Sequence, residues 1–141
     1  MGDYLKPIPV ADPDSAPFWA ACREHRLLLQ KCAACGAVRY PPGPFCPHCR
    51  SRSAEWIRSA GRGKVFSWIV VTHPVPKDVY AGDVPYVVAL VELDEGVRMA
   101  SNIVGCAPSD VRGDMRVEIL FDDVAPGITL PRFKPAETPS R

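Results

Sequence analysis

The stretch from Cys32 to Cys49 reads CAACGAVRYPPGPFCPHC, and it decides how the first half of the chain folds. Its two Cys-x-x-Cys pairs are separated by ten residues. Four thiolates on two tight turns can surround one metal ion in a tetrahedron, with metal–sulfur distances of about 2.3 Å. In a reducing compartment, paired cysteines of this kind indicate a metal site rather than disulfides. The stretch therefore predicts a zinc ribbon whose metal ligands are Cys32, Cys35, Cys46 and Cys49.

Other cysteines and one histidine lie close enough in sequence to be considered as ligands. His48 is inside the second pair, but four cysteines already complete the shell, so we expect an exposed imidazole. Cys22 and Cys106 are isolated in apolar surroundings and are expected to be buried thiols. Four thiolates also hold iron in rubredoxin-type centres, so an iron electron carrier remains an alternative. A closed shell leaves no position for water or substrate, and we predict no metal catalysis.

Residues 1–29, before the ribbon, are predicted to form a loose arm and a short helix. The helix is expected over residues 16–25, with Asp14 or Ser15 as its N-cap. Phe18 and Cys22 fall on neighbouring faces of this helix and give it an apolar stripe. Two interpretations are open, because the stripe could pack on the chain's own core or on a partner protein.

The ribbon and a polar connector are predicted to occupy residues 30–62, with the connector at residues 53–62. The hydrophobic pattern then changes to a period of two. Residues 64–73 are expected to form a first strand that is largely buried on both faces. A proline-broken loop follows at residues 74–82. The further predicted elements are strands at 86–93, 97–104, 115–121 and 128–133, and one helical turn at 108–113.

Five short strands with a helical turn between the third and fourth are typical of a Greek-key barrel of the OB type. No segment is long enough for the crossover helix that a parallel sheet needs. The predicted fold class is therefore mainly β, with an N-terminal helix, a rubredoxin-like zinc ribbon at 30–62 and an OB-fold barrel at 63–135. Residues 136–141 are predicted to be a tail.

Composition bounds the class of protein. The chain has 141 residues, a formal net charge of +1 and 47% apolar residues, as expected for a soluble globular protein. This length excludes two full enzyme domains. No apolar run of about 20 residues suggests a membrane span. The first residues lack a charged leader followed by an apolar run, so a cytoplasmic location is expected.

The charge is unevenly distributed between the two halves of the chain. Residues 32–64 carry six basic residues and one acidic residue, a local charge of +5. Residues 65–141 carry seven basic and eleven acidic residues, a local charge of −4. OB-fold proteins that bind single-stranded nucleic acid need a basic groove lined with aromatic residues. The acidic barrel half therefore makes such a binder an alternative rather than the main prediction.

Motifs that would indicate catalysis are missing from the sequence. There is no Gly-x-Ser-x-Gly, no phosphate-binding loop and no Gly-x-Gly-x-x-Gly. The three histidines, His25, His48 and His73, belong to no recognisable catalytic motif, and His73 is expected to be a solvated strand end. We therefore predict no catalytic residue and expect the chemistry to be done by another chain.

Several motifs, taken in order, resemble a family of rubredoxin-like zinc-ribbon plus OB-fold proteins that are associated with acyl-CoA enzymes. The resemblance covers roughly residues 15 to 135. The motifs that carry it are Phe18-Trp19, Gln30-Lys-Cys-Ala-Ala-Cys-Gly36, Tyr40-Pro-Pro42, Cys46-Pro-His-Cys49, Glu55-Trp56, Gly61-Arg-Gly-Lys-Val65, Pro85-Tyr-Val-Val-Ala-Leu-Val-Glu-Leu-Asp-Glu-Gly96 and Pro131-Arg-Phe133.

The resemblance implies that this chain is a zinc-binding accessory subunit rather than an enzyme on its own. Proteins similar to it occur beside thiolases, thiolase-like aldolases and enoyl-CoA hydratases, and the partner supplies the catalytic groups. If the complex holds a CoA thioester, its phosphates require cations, and the local excess of arginine points to Arg50, Arg58 and Arg62. The alternative is that these arginines only keep the ribbon soluble. The aromatic residues Trp56, Phe66 and Trp68 are then expected in the core or at an interface, rather than stacked on adenine.

Overall fold

The computed structural model describes residues 4–136. It confirms the mainly β class, with an N-terminal helix, a small cysteine-rich sheet and a closed five-stranded barrel. Residues 1–3 of the predicted arm and 137–141 of the predicted tail lie outside the described part of the chain. The elements in order are α1 (Ala16–Arg23), β1 (Leu28–Cys32), β2 (Val38–Arg39), β3 (Ala54–Arg58), β4 (Arg62–Val71), α2 (Lys77–Tyr80), β5 (Tyr86–Leu93), β6 (Arg98–Ile103), a 3-10 turn (Pro108–Asp110), β7 (Arg116–Ala125) and β8 (Ile128–Pro135).

The ribbon is a three-stranded antiparallel sheet in the order β2-β1-β3. The prediction of a polar connector over residues 53–62 was wrong for its first half, since β3 pairs with β1 along five residues. Trp56 and Ile57 account for this strand, because both side chains are partly buried against the core and stabilise the pairing of β3 with β1. The buried Gln30 side chain accepts hydrogen bonds from Arg39 Nε at 2.9 Å and from the Gly43 N–H at 2.8 Å. It thereby fixes the proline-rich excursion between the two cysteine pairs.

The barrel closes in the strand order β4-β5-β6-β8-β7. Its closing seam is short, because β4 pairs with β7 only from Arg62 to Lys64. Glycine is required at residue 63, where an added Cβ would overlap the carbonyl oxygen of Glu92 on β5. Beyond this seam β7 pairs with β8 alone, and β4 continues beside β5 alone.

The main core fills the barrel and extends to the helix. Val65, Val117 and Phe133 are fully buried inside the barrel. Phe18 and Cys22 of α1 belong to the same cluster, so the apolar stripe of the helix packs on the chain's own core. Burying a side chain such as Phe18 contributes roughly 1.5–3 kcal/mol, and this is what attaches the helix.

The long strand β4 differs from its prediction. Residues 66–70 are exposed one after another, although both faces were expected to be buried. The reason is the short seam: no strand lies beside β4 after Lys64 on the β7 side, and the barrel wall does not cover it there. Two smaller predictions were also incomplete. The loop at 74–82 contains α2, and Cys106 is partly exposed whereas Cys22 is buried as expected.

The connector between the ribbon and the barrel is fixed by one side chain. Glu95, in the turn between β5 and β6, accepts a hydrogen bond from the Ser59 hydroxyl at 2.8 Å. Its other carboxylate oxygen accepts the Ala60 N–H at 2.9 Å. The Ser59 oxygen in turn accepts the Gly61 N–H at 3.0 Å.

None of the helices in residues 4–136 has the length and hydropathy that a bilayer span requires.

Candidate metal centre and apolar surface

The fold brings the four predicted cysteine ligands to one end of the ribbon. Cys32 ends β1, and the other three lie on the two turns that follow β1 and precede β3. Their sulfur atoms all lie within 4.8 Å of one another. The closest pairs are Cys32 with Cys49 at 3.5 Å and Cys35 with Cys46 at 3.6 Å. A single ion can therefore reach all four sulfurs.

These distances fit a tetrahedral four-sulfur site. With a metal–sulfur bond of about 2.3 Å, the edges of a regular tetrahedron of sulfurs measure about 3.8 Å. The observed separations, from 3.5 Å to at most 4.8 Å, bracket that value. Cys32 and Cys46 are buried and Cys35 and Cys49 are exposed, so the site lies at the ribbon surface. His48 is exposed and is not part of the cluster, as expected.

Backbone N–H groups prepare two of the sulfurs to be thiolates. The Cys35 N–H points at Cys32 Sγ over 3.5 Å and is the main reason that the pKa of Cys32 is lowered to about 6. The Cys49 N–H has the same effect on Cys46, whose pKa is also lowered. For Cys35 the Ala37 N–H favours the thiolate, but the neighbouring sulfurs of Cys46, Cys49 and Cys32 prevail and raise its pKa to about 11. Four adjacent thiolates therefore need a cation to coexist at neutral pH.

The three arginines predicted for CoA phosphates are not gathered in one place. Arg50 follows the second cysteine pair, at the metal end of the ribbon. Arg58 ends β3 at the opposite end, four residues beyond Ala54, which pairs with Cys32, so about 13 Å of strand lies between the two ends. Arg62 begins β4 and lies near Asp94, which is held mainly by Arg116. In residues 4–136, none of these three arginines forms an ion pair.

A cleft of about 760 Å³ lies at the other end of the barrel, beneath residues 4–7 of the arm. Its two cations are already neutralised, since Lys6 contacts Asp83 at 2.9 Å and Arg132 contacts Asp122 at 2.8 Å. The cleft therefore has no surplus positive charge for a phosphate.

An apolar surface on the barrel is the feature that the sequence did not reveal. It consists of Phe66, Trp68, Ile69, Val70 and Leu90, which are all classed among the exposed large hydrophobic residues. Ile69 is 61% exposed, and the Arg98 guanidinium stacks 3.6 Å from the centre of the Phe66 ring. The available signal was the run FSWIVV at 66–71, in which apolar residues do not alternate with polar ones. Such a run is equally consistent with a doubly buried strand, which is how it was interpreted.

A histidine–carboxylate pair lies between the end of α1 and the barrel. His25 Nε2 lies 3.1 Å from both carboxylate oxygens of Asp123, and Thr129 donates to the same carboxylate. This resembles part of a triad, but the Thr129 hydroxyl is buried and already bonded, and His25 stacks on Phe121. The cluster therefore ties α1 to the barrel. His73 is exposed just beyond β4, as predicted.

The fold and the cysteine cluster define the class: a rubredoxin-like zinc ribbon joined to an OB-fold barrel. Two family models match in succession, the ChsH2 rubredoxin-like zinc ribbon domain at residues 19–55 and the ChsH2 C-terminal OB-fold domain at residues 56–122. The chain belongs to this ChsH2 family of zinc-ribbon and OB-fold proteins, also called DUF35. The resemblance stated from the motifs is thereby confirmed.

Among curated relatives, the chain is 45% identical over 132 residues to a probable enoyl-CoA hydratase alpha subunit of Thermomonospora curvata. That match covers 94% of this chain and 40% of the relative, so the chain spans well under half of that subunit's length. It is 41% identical over 105 residues to a DUF35 domain-containing scaffold protein of Methanocaldococcus jannaschii, with 73% of each chain covered. Among solved structures, it superposes on a chain of an Ltp2-ChsH2(DUF35) aldolase with a TM-score of 0.82 and 44% identity, covering 90% of this chain and 98% of that one.

Proposed function

We propose that this chain is a non-catalytic accessory subunit that docks on an acyl-CoA enzyme of the hydratase, aldolase or thiolase-like class. The observation that carries the proposal is the apolar surface of Phe66, Trp68, Ile69, Val70 and Leu90, all of which are exposed to solvent. Large apolar side chains exposed at neighbouring positions of two paired strands are typical of a protein interaction site. The relatives are named as a hydratase alpha subunit, a scaffold protein and an aldolase complex, which agrees with such a role.

A structural zinc ion is part of this proposal. The four sulfurs of the ribbon match the size of a zinc tetrathiolate site, and zinc suits a closed shell that does no redox chemistry. Cys32, Cys35, Cys46 and Cys49 would hold the ion, which would cross-link the two turns that carry them. Elemental analysis of freshly purified protein should find one zinc per chain. A red protein that contains iron would instead support the electron-carrier alternative.

Support for CoA-thioester binding is the finer part of the proposal. Arg50, Arg58 and Arg62 provide positive charge that no carboxylate in residues 4–136 pairs with at close range. Because the three are spread along the ribbon, Arg58 and Arg62 on the barrel side are the pair that one CoA molecule would meet together. The charge reversals Arg58→Glu and Arg62→Glu should weaken CoA-ester affinity in the complex about tenfold or more. Unchanged affinity in both variants would reject this assignment.

The main test is co-expression with a hydratase-like, aldolase-like or thiolase-like chain encoded beside this one. A tag on this chain should retrieve the enzyme, and CoA-ester turnover should be found in the pair and not in this chain alone. A pair of variants makes the test specific, since Ile69→Lys alters the apolar surface whereas Val10→Lys alters an exposed valine on the arm, outside that surface. We expect only Ile69→Lys to abolish retrieval. The proposal fails if no such chain is retrieved, or if both variants behave alike.

A further inference from the structure

The edge of β4 is the most unusual part of the apolar surface. In residues 4–136, the backbone of residues 66–71 pairs only with β5, and the groups that point away from β5 have no partner. We call this segment the free edge of β4. Its last bonds on the outer side are those of Val65, whose N–H donates to Met115 and whose carbonyl accepts from Asp114. The free edge is therefore open for about 20 Å, six residues of extended strand.

The free edge lacks the features that normally protect such a strand. Natural sheet edges are shielded by charged side chains, prolines, bulges or a covering element. Residues 66–71 read FSWIVV and contain no charge and no proline. The single bulge lies at the beginning, between Val65 and Ser67. A long, uncharged and apolar edge is a template for pairing with another chain.

Both faces beside the free edge are exposed as well. Trp68 and Val70 pair with Ala89 and Val87, which point into the barrel. Ile69 pairs with Val88 and faces outward. An element that only covers one face would leave the other in water and would leave the backbone groups unsatisfied. A strand that extends the sheet, and that belongs to a larger body, would bond the unpaired backbone groups and would also allow both faces to be covered.

We propose that the free edge of β4 accepts a strand from the partner enzyme, so that the two chains share one continuous sheet. This rests on the proposed function and names the surface through which it operates. A second copy of this chain fits less well. Pairing two identical edges would satisfy the backbone groups, but it would bring another strand whose faces are equally uncovered. A partner with its own sheet and covering layer can bury Ile69 on one side and Trp68 on the other.

Hydrogen exchange on the co-purified complex tests the proposal directly. Amides of residues 66–71 that point outward should exchange rapidly in the free chain and slowly in the complex, because a paired strand would bond them. Peptides from the ribbon provide the internal comparison. If the enzyme is retrieved but exchange at 66–71 does not slow, the strand pairing is wrong while the accessory function stands. If nothing is retrieved, the accessory function itself fails.

A matched pair of lysine substitutions separates an edge from a face. Val70 on the free edge and Leu90 on β5 are both 39% exposed and apolar. Val70→Lys places a charge on the edge, where it should weaken the complex at least tenfold, whereas Leu90→Lys, on the sheet face of the same apolar surface, should weaken it by a severalfold smaller factor. Equal losses would indicate packing on the sheet face and would overturn the proposal. Light scattering of the free chain adds a further outcome: a stable dimer that Val70→Lys dissolves would assign the edge to a second copy instead.

Discussion

The barrel and the ribbon of this chain are stabilised by different means. The barrel buries a continuous set of apolar side chains, including Val65, Val117 and Phe133. In residues 33–58 of the ribbon, by contrast, only Arg39 and Cys46 are buried. So small an interior cannot offset the loss of conformational entropy on folding. The comparison teaches that ribbon stability depends on what the four sulfurs hold, whereas the barrel depends on packing.

The largest expected effect comes from removing one sulfur. Cys46→Ser should abolish stoichiometric metal binding and unfold the ribbon, because metal binding supplies roughly 10–16 kcal/mol in comparable small metal domains. Hydrogen exchange should accelerate in residues 33–58 and remain slow in β5. Cys106→Ser is the control, since Cys106 lies outside the cluster and its loss should leave the metal content unchanged. If the Cys46→Ser variant kept its metal, the proposed difference between a metal-dependent ribbon and a packed barrel would be wrong.

The next effect concerns the barrel. Phe133→Ala should destabilise the protein by about 3–5 kcal/mol, since it opens a cavity at a fully buried position. Denaturant unfolding monitored by circular dichroism would measure the change, and metal content at low denaturant would report on the ribbon. We expect the metal to stay bound while the barrel loses stability. Simultaneous release of metal would show that the ribbon cannot persist without the barrel.

A smaller effect is expected from pH, at the contact between α1 and the barrel. Hydrogen bonds from Thr129 and then from His25 lower the pKa of Asp123 below its usual value of 3.8. A carboxyl group whose pKa is lowered by folding stabilises the native state above pH 3.8, and this contribution is lost as the pH falls through the folded pKa. Asp123→Asn should therefore flatten the acid limb of the stability profile. Unfolding midpoints of both proteins between about pH 2 and pH 5 would measure the difference.

The smallest effect is predicted for the exposed part of β4. Ile69→Lys should change the free energy of unfolding by less than about 0.5 kcal/mol, because the side chain is 61% exposed and fills no core. Thermal unfolding of the isolated chain would measure it. A loss comparable to that of Phe133→Ala would mean that the strand is buried in solution, and would remove the distinction between the barrel core and the apolar surface.

Much of this architecture could be predicted because the local signals were strong. The two Cys-x-x-Cys pairs, the period of two in residues 86–93 and the glycine turn at 94–96 each indicate one structure. The strand β3 was missed because the five residues of Ala54–Arg58 give no clear alternation of apolar and polar residues, and their pairing with β1 is a tertiary property. The exposure of residues 66–70 was missed for a related reason, since an apolar run does not tell whether the chain itself or another molecule covers it.

The same division between local sequence signals and tertiary properties applies to the predicted site residues. The cysteines could be located from spacing alone, because four ligands on two turns have little freedom. The arginines could not, because their grouping in sequence conceals that β3 carries Arg58 to the end opposite Arg50. Long side chains on an extended strand are separated by its length, which charge counts over a window ignore.

The hydrogen bonds of Glu95 to Ser59 and Ala60 have a mechanical consequence. They restrain the connector that joins β3 of the cysteine-bearing sheet to β4 of the barrel. A protein that clamps the body of this chain would thus also set the direction in which the sulfur-bound tip points. The contact with the barrel then fixes the orientation of the cysteine-bearing tip, and the partner needs no separate contact with that tip.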